Sequence, residues 1–254
     1  MEIKLDNVSY KDVLNNINLQ FKDKTINGIC GISGSGKTTL LELIANLIEP
    51  TEGKIYVGKK YINKSNRKNI KMVFQNPEEQ FFCKTVLEEI TFNSDKKDLD
   101  KVLETLKIDK EILNNNPYSL SSGEMRKVAI ASILIFSPKV LILDEPTIGL
   151  DNKAKENLID VIRNLKNNYD KTIIISSKDT DFLLSVCDNV SVLYNNSIVL
   201  DGNKYDVLNK VEQFGLKKPK IIEFQDIVLK EKNIKLLNRD EINDLMKDVY
   251  RHVS

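Results

Sequence analysis

The chain has 254 residues, and its 38 Lys and Arg side chains almost balance its 37 Asp and Glu side chains, so the formal net charge is +1. This balance excludes attraction to nucleic acid by bulk electrostatics, and we expect no nucleic-acid partner. No apolar stretch approaches the ~18 residues that a membrane helix needs, and the N-terminus shows a charged strand pattern without a signal peptide. We therefore expect a chain that is soluble by itself and reaches a membrane only through partners. The three cysteines, Cys30, Cys83 and Cys187, lie far apart and are typical of a reducing compartment.

A glycine-rich loop near the N-terminus is the first strong signal. Residues 31–38 read Gly-Ile-Ser-Gly-Ser-Gly-Lys-Thr and match the phosphate-loop pattern G-x-x-x-x-G-K-[ST], between a predicted buried strand at 26–30 and a predicted helix at 39–45. The glycines let backbone N–H groups point at the β- and γ-phosphates of a nucleotide, Lys37 supplies a charge, and the Thr38 hydroxyl supplies a ligand for Mg²⁺. A chance Gly/Ser-rich turn is disfavoured by the flanking strand and helix. The candidate nucleotide-binding residues here are Gly31, Ile32, Ser33, Gly34, Ser35, Gly36, Lys37, Thr38 and Thr39.

The middle of the chain carries a helical pattern and a second loop of this kind. The apolar residues between 99 and 106 recur at helical spacing, which predicts a helix there. Residues 120–124, Leu-Ser-Ser-Gly-Glu, form a turn that opens another helix, where backbone N–H groups again favour phosphate. One nucleotide cannot use this surface together with the phosphate loop of the same chain. We therefore expect Ser121 and Gly123 to contact a nucleotide held by a second copy or by a related chain.

Two carboxylates follow an apolar run at 140–143. A continuous apolar run bounded by turn residues is typical of a strand covered on both faces, at the centre of a parallel sheet. The carboxyl end of such a strand is where α/β sheets place ligands. We interpret Asp144 as a residue that holds Mg²⁺ through its water shell, and Glu145 as the base that polarises an attacking water. The alternative is a solvated strand end without chemistry.

These motifs together resemble the nucleotide-binding subunits of ABC transporters, over roughly residues 1–210. The ordered motifs are the phosphate loop at 31–38, Gln75 after a strand at 70–74, the signature at 120–124, Asp144-Glu145, the loop through Asp151, and a switch position after a strand at 172–175. The resemblance implies a P-loop NTPase fold and a head-to-tail dimer, with each ATP between Lys37 of one subunit and Ser121 and Gly123 of the other. It implies that Gln75 senses the γ-phosphate and Mg²⁺. It also suggests that Tyr10 stacks on adenine, although plain packing of Tyr10 is equally consistent with the sequence.

A narrower resemblance is to the ATPase, or A component, of energy-coupling factor (ECF) transporters. It rests on the segments 75–82, 85–90 and 122–131. It implies a peripheral ATPase on the cytoplasmic face of the cell membrane that energises uptake of vitamins or of cobalt or nickel ions. The implied partners are a second ATPase, a transmembrane coupling protein and a separate membrane protein that binds the solute. Gln80 and its neighbours would lie near the groove that receives a coupling helix, although ordinary packing explains them too.

Two departures from the family pattern affect the expected activity. The switch position, where the family has histidine, falls on Lys178, and the chain's only histidine is His252. Lysine stays charged at neutral pH and cannot relay a proton as imidazole does, so we expect ATP binding to survive better than turnover. In the signature, Ser122 replaces glycine and Glu124 replaces glutamine. These changes favour a chain that pairs with a paralogue and forms one weakened ATP site, and they disfavour a fully competent homodimer. Two alternatives remain: a regulatory cassette without hydrolysis, and the ATPase of another ABC transporter class.

The chain order predicts an α/β nucleotide-binding core at 1–75 and 137–212, with a mixed or parallel sheet. A helical subdomain is predicted at 76–136, and a small C-terminal helical extension at 213–254. A capping box at 238–241 predicts a helix in that extension. Its apolar face would comprise Ile242, Leu245, Met246 and Val249. That face would serve dimerisation or pack on its own core.

Two other nucleotide-binding classes fit the sequence less well. Residues 203–206, Asn-Lys-Tyr-Asp, match the guanine-reading pattern N-K-x-D of GTPases, but they lie too far from the phosphate loop and follow a turn. A small-molecule kinase would share the phosphate loop and have no use for the loop at 120–124.

The motifs together give two sets of candidate residues. The catalytic candidates are Glu145, Gln75 and Lys178, and the metal candidates are Thr38, Gln75 and Asp144.

Overall fold

The computed structural model describes residues 1–63, 65–95, 97–240 and 242–253. Its strands are β1 (Ile3–Tyr10), β2 (Leu14–Phe21), β3 (Ile26–Cys30), β4 (Glu52–Val57), β5 (Lys60–Tyr61), β6 (Ile70–Val73), β7 (Val140–Asp144), β8 (Thr172–Ser177), β9 (Asn189–Tyr194) and β10 (Ser197–Asn203). Its α-helices are α1 (Lys37–Ile44), α2 (Val86–Thr91), α3 (Leu99–Leu106), α4 (Ser122–Leu134), α5 (Asn152–Tyr169), α6 (Thr180–Val186), α7 (Lys204–Leu208), α8 (Lys220–Lys232) and α9 (Ile242–Val253). None of the described helices is both long and apolar enough to cross a membrane.

The larger sheet places the phosphate loop and the paired carboxylates at one edge. Its strand order is β10-β9-β3-β8-β7-β6, and β3, β6, β7, β8 and β9 run parallel. Every residue of β3, β7 and β8 is buried, as expected of strands covered on both faces. The carboxyl ends of these strands therefore meet, and the central parallel strand predicted from the apolar run at 140–143 is confirmed as β7.

Apolar side chains alternate along β7 between two cores. Val140 and Ile142 join a cluster with α1 and the smaller antiparallel sheet, whose strand order is β2-β1-β4-β5. Leu141 and Leu143 join a cluster with the helices on the other face, including α2, α3 and α4. The two faces thus hold α1 on one side and the signature helix α4 on the other. This layering confirms the α/β P-loop fold class.

One further local prediction is confirmed, and a hairpin closes the larger sheet. Helix α3 forms where the helical spacing at 99–106 indicated it. Strands β9 and β10 form an antiparallel hairpin, and Asn195 and Asn196 at its turn both have positive φ, 45° and 65°. Asparagine tolerates this left-handed backbone better than most residues, so the Asn-Asn pair is suited to a tight turn.

The C-terminal segment packs as two helices, of which the capping box indicated one. Glu241, part of that predicted box, lies outside the described residues, and α9 begins at Ile242. Leu245 is fully buried, whereas Ile242 and Met246 are exposed, so the predicted apolar face is only partly covered. Asp240 ties this segment to the core by an ion pair of 2.6 Å with Lys204.

Candidate nucleotide-binding site

The loop at 31–38 joins β3 to α1 and needs glycine at two positions of positive φ. Gly34 has φ 79° and Gly36, the residue before α1, has φ 99°. A Cβ at Gly36 would also lie 3.1 to 3.3 Å from atoms of Leu14 and Val13. The loop therefore wraps over the N-terminus of α1, where unpaired backbone N–H groups favour an anion.

Lys37 lies inside this loop, with 7% of its side chain exposed. Its Nζ donates to the carbonyl oxygens of Gly31 and Ile32 at 2.8 and 3.1 Å. It also lies 3.2 Å from Oε1 of Glu145. A buried ammonium held by loop carbonyls and one carboxylate is placed to exchange these partners for phosphate oxygens.

Hydroxyl and carboxylate oxygens meet beside the lysine. Thr38 Oγ1 donates to Oδ2 of Asp144 at 2.7 Å, and the Ser176 hydroxyl donates to Oδ1. Both groups are hard oxygen donors, and Mg²⁺ typically binds one or two carboxylates together with substrate phosphates and waters. Thr38 and Asp144 therefore fit a Mg²⁺ ion that also contacts a nucleotide at the loop.

Glu145 adopts a backbone conformation that is unusual for a residue with a Cβ. Its φ is 42°, its side chain is buried, and its backbone N–H donates to the Ser176 carbonyl at 3.1 Å and to the Ser176 hydroxyl at 2.9 Å. Its Oε2 accepts the Lys178 backbone N–H at 3.3 Å. Strained conformations that the surroundings enforce are concentrated at functional sites. These contacts hold the carboxylate against the cavity described next.

A cavity of about 420 Å³ collects most of the predicted site residues. Its lining comprises Val13, Ser33, Gly34, Gly36, Lys37, Thr38, Thr39, Gln75, Glu145, Ile148 and Lys178. Gln75 and Lys178 are exposed at its wall. The volume lies in the range of ligand pockets. Tyr10, the last residue of β1, packs against the core of the smaller sheet and is not among the described residues that line this cavity, so its contact with adenine stays a prediction.

Three signature residues, Ser121, Gly123 and Glu124, line another cavity, of about 380 Å³, together with Leu150 and Asp151. Among the described residues, the two cavities share no lining residue. Ser121 caps α4, and its backbone N–H and hydroxyl donate to Oε2 of Glu124 at 2.9 and 2.6 Å. These bonds lower the pKa of Glu124. The Glu124 carboxylate thus turns back onto its own helix terminus.

Three site residues were missed in the sequence: Ser176, Val13 and Ile148. Ser176 pairs with Asp144 in the register of β7 and β8, so strand pairing could have indicated it.

The N-K-x-D residues at 203–206 do not line the nucleotide cavity. Lys204 is instead buried and donates to the Leu184 carbonyl at 2.8 Å, which supports treating that match as coincidence.

Comparison with known proteins decides the family. The ABC transporter family model matches residues 14–148. The chain belongs to the ABC transporter family. It is 35% identical over 248 residues to the energy-coupling factor transporter ATP-binding protein EcfA2 of Caldanaerobacter subterraneus subsp. tengcongensis, covering 87% of each chain. It is 34% identical over 261 residues to the EcfA2 of Thermotoga maritima, covering 95% of this chain and 97% of that one.

Solved ABC cassettes share the fold. CbiO1 of Clostridium perfringens, described as part of the ABC transporter complex cbiONQ, is 30% identical with a TM-score of 0.76, covering 88% of this chain and 98% of that one. The cassette MJ0796, solved as a dimer with ADP and Pi, is 26% identical with a TM-score of 0.71, covering 80% and 98%. The resemblance to ABC transporter ATPases, and to those of ECF transporters in particular, is confirmed.

Proposed function

We propose that this ABC cassette binds and hydrolyses ATP with Mg²⁺ as the ATPase subunit of an ECF-type importer. The observation that carries the proposal is that Lys37, Thr38 and Glu145 line one cavity at the carboxyl edge of the parallel sheet, while Asp144 is bonded to Thr38 behind its wall. A nucleotide triphosphate is the ligand that uses a phosphate loop, a buried cation and a Mg²⁺ site together. The ECF relatives at 34 to 35% identity support ATP as that nucleotide.

Each side chain has a distinct role in this proposal. Lys37 and the loop N–H groups hold the β- and γ-phosphates, and Thr38 and Asp144 hold Mg²⁺, which neutralises phosphate charge when bound. Glu145 accepts a proton from the attacking water as it approaches the γ-phosphorus. Gln75 and Lys178 line the same cavity and contact the γ-phosphate side of the nucleotide.

We infer a head-to-tail dimer with composite ATP sites. The separation of the signature cavity from the nucleotide cavity supports it, because Ser121 and Gly123 then face a nucleotide held by a partner. The dimeric cassette MJ0796 is a precedent among similar structures. A paralogous ATPase is favoured over a second copy of this chain.

Lys178 is the basis for proposing one weakened site in that pair. Its side chain lies at the cavity wall and keeps a positive charge that can hold the γ-phosphate. It lacks the neutral, proton-accepting form of histidine. Glu145 is buried and hydrogen-bonded through both its backbone N–H and its carboxylate, which favours slow hydrolysis over a purely regulatory cassette.

The membrane partners in this proposal are a transmembrane coupling protein and a substrate-binding protein, with the ATPase peripheral on the cytoplasmic face. The solute would be a vitamin or a transition-metal ion. Phe82 and Phe92 form an exposed edge-to-face pair with ring centroids 4.6 Å apart, just beyond Gln80. An exposed aromatic pair is suited to receive an apolar helix of the coupling protein.

The same proposal divides the chain into three parts. They are a nucleotide-binding core at 1–75 and 137–212, a helical subdomain at 76–136 and a dimerising extension at 213–254.

Titration of ATP in the presence of Mg²⁺ tests the nucleotide assignment. We expect Lys37→Ala to weaken binding by at least about 100-fold, because phosphate loses its buried cation. Lys24→Ala removes an exposed lysine paired with Asp170 at 2.9 Å and serves as the matched control. Wild-type ATP affinity in the Lys37→Ala variant, with an unchanged melting temperature, would exclude the phosphate loop as the binding site.

A further inference from the structure

A buried arginine connects the signature helix to the segment that carries Gln75. Arg126 lies one turn into α4 and is only 3% exposed. Its Nη1 donates to the Phe74 carbonyl at 3.0 Å, and its Nη2 donates to the Gln75 carbonyl at 2.8 Å. One guanidinium therefore holds two successive carbonyl groups of the segment that follows β6.

The guanidinium geometry suits this contact better than any other side chain. Its planar fork presents two parallel N–H groups, so it matches two adjacent acceptors and fixes their orientation. Burial lowers the pKa of Arg126, while the negative charges of Glu78 and Asp144 act in the opposite direction. Burying this cation costs desolvation free energy, which indicates that the contact does more than fill space.

The same segment is also held from a second side. The Phe74 backbone N–H donates to Oε1 of Gln80 at 3.3 Å. The Gln75 side chain remains exposed at the wall of the nucleotide cavity. The backbone is thus restrained by Arg126 and Gln80, and the functional side chain is left free to reach the cavity.

Arg126 also borders the signature cavity, which Ser121 and Gly123 line. We propose that Arg126 is a positioning residue that sets the place of Gln75 in the nucleotide cavity according to the position of the signature helix. This inference rests on the proposed function, because it takes Gln75 as the residue that senses the γ-phosphate and Mg²⁺. It adds a direct physical link between the site that holds a nucleotide and the surface that contacts the partner's nucleotide.

The test is a double-mutant cycle between Arg126→Lys and Gln75→Ala, measured by steady-state ATP hydrolysis at varied Mg²⁺. Lysine keeps the charge and cannot bond both carbonyls in the same geometry. We expect Arg126→Lys to raise the Mg²⁺ concentration for half-maximal rate and to lower kcat, each by about tenfold, with KM for ATP changed less than about threefold. In the Gln75→Ala background, Arg126→Lys should have no further effect.

Arg163→Lys is the matched control. Arg163 on α5 donates from Nη2 to the Ser185 carbonyl at 2.9 Å, and neither residue is among the described residues that line the two cavities. We expect its substitution to leave the Mg²⁺ dependence unchanged. Additive effects of Arg126→Lys and Gln75→Ala, or an equal response of Arg163→Lys, would overturn the positioning role.

Hydrogen exchange provides a readout that does not depend on turnover. Exchange at residues 74–76 should speed up in Arg126→Lys and stay unchanged in Arg163→Lys, at matched global stability. If Arg126→Lys fails to fold, Arg126→Gln keeps one amide donor without the buried charge and takes its place in both measurements. Unchanged exchange at 74–76 in a folded variant would overturn the inference even if Lys37→Ala confirms the ATP site.

Discussion

Glu145 shows how single residues set the chemistry of this site. Its two carboxylate oxygens have different neighbours: Oε1 lies 3.2 Å from Lys37 Nζ, and Oε2 accepts the Lys178 backbone N–H at 3.3 Å. The hydrogen bonds of its backbone N–H to Ser176 on β8 hold Glu145 at a positive φ of 42°. A carboxylate restrained in this way reorganises little when a water and a phosphate occupy the cavity, which favours its use as a base.

We expect Glu145→Gln to lower kcat for ATP hydrolysis by about 10² to 10⁴-fold while ATP binding is retained. The amide keeps the shape of the side chain and removes the proton acceptor. Quantifying nucleotide bound after gel filtration should therefore show uncleaved ATP in a closed dimer. Glu156→Gln on the exposed face of α5 is the control. Release of ADP at the wild-type rate from Glu145→Gln would show that another group is the base.

The site residues that could be predicted from the sequence are those that stand at a fixed spacing within one short motif. Lys37, Thr38 and Asp144 belong to contiguous motifs with a fixed chemical logic. Ser176 and Arg126 act through contacts that are 32 and 51 residues distant in sequence, to Asp144 and Gln75. Such partners depend on strand register and helix docking, which a single sequence does not specify.

At the scale of elements, the N-terminus of α4 is shaped by its own capping box. Ser121 and Glu124 bond each other reciprocally across the first turn. The Ser121 hydroxyl donates its proton to Oε2 of Glu124 at 2.6 Å. The proposed dimer would need the same proton for a hydrogen bond to phosphate. In the proposed dimer, this hydroxyl would have to change partner before it could donate to a phosphate.

We expect Glu124→Gln to lower thermal stability slightly, by up to about 1 kcal/mol, because the charged acceptor at the helix N-terminus is lost. The folded pKa of Glu124 is lowered, so its stabilising contribution is present above the unfolded value and is lost as pH falls through the folded pKa. The difference in Tm between variant and wild type should accordingly persist from pH 8 to 5 and shrink in stronger acid. An equal difference at all pH values would contradict the role assigned to the carboxylate charge.

Elements covered on both faces were the easiest to predict. Strand β7 and the β9–β10 hairpin have apolar and turn residues that local rules interpret directly. Helix α8 was not specified, because exposed Phe224, Ile227 and Leu229 spread apolar side chains around it. Without a single apolar stripe, periodicity gives no clear helix signal.

At the scale of the whole molecule, Asp240 connects the last part of the C-terminal extension to the core. Asp240 pairs with Lys204 at 2.6 Å and accepts a hydrogen bond from the Tyr205 hydroxyl, and Leu245 of α9 is buried. Burial and the bond to Asp240 raise the pKa of Tyr205. Several apolar side chains of the extension stay exposed, as expected of a surface that meets a partner.

We expect Asp240→Ala to lower the free energy of unfolding by about 1 to 2 kcal/mol, because the buried Lys204 ammonium loses its counter-ion. ATP binding should be unchanged, since neither Asp240 nor Lys204 is among the described residues that line the nucleotide cavity. Asp244→Ala, which breaks the exposed pair with Lys247, is the control. Denaturant unfolding followed by circular dichroism measures both variants; equal stability in the two would show that the Asp240 contact contributes nothing.

Steady-state ATP hydrolysis by the purified chain, measured beside Lys178→His and Lys178→His combined with Glu145→Gln, tests the proposed function most directly. We predict a low wild-type rate, a higher rate in Lys178→His because a neutral imidazole can relay the proton, and loss of that gain when Glu145→Gln is added. Brisk wild-type hydrolysis that neither substitution changes would contradict both the role of Glu145 and the weakened site assigned to Lys178.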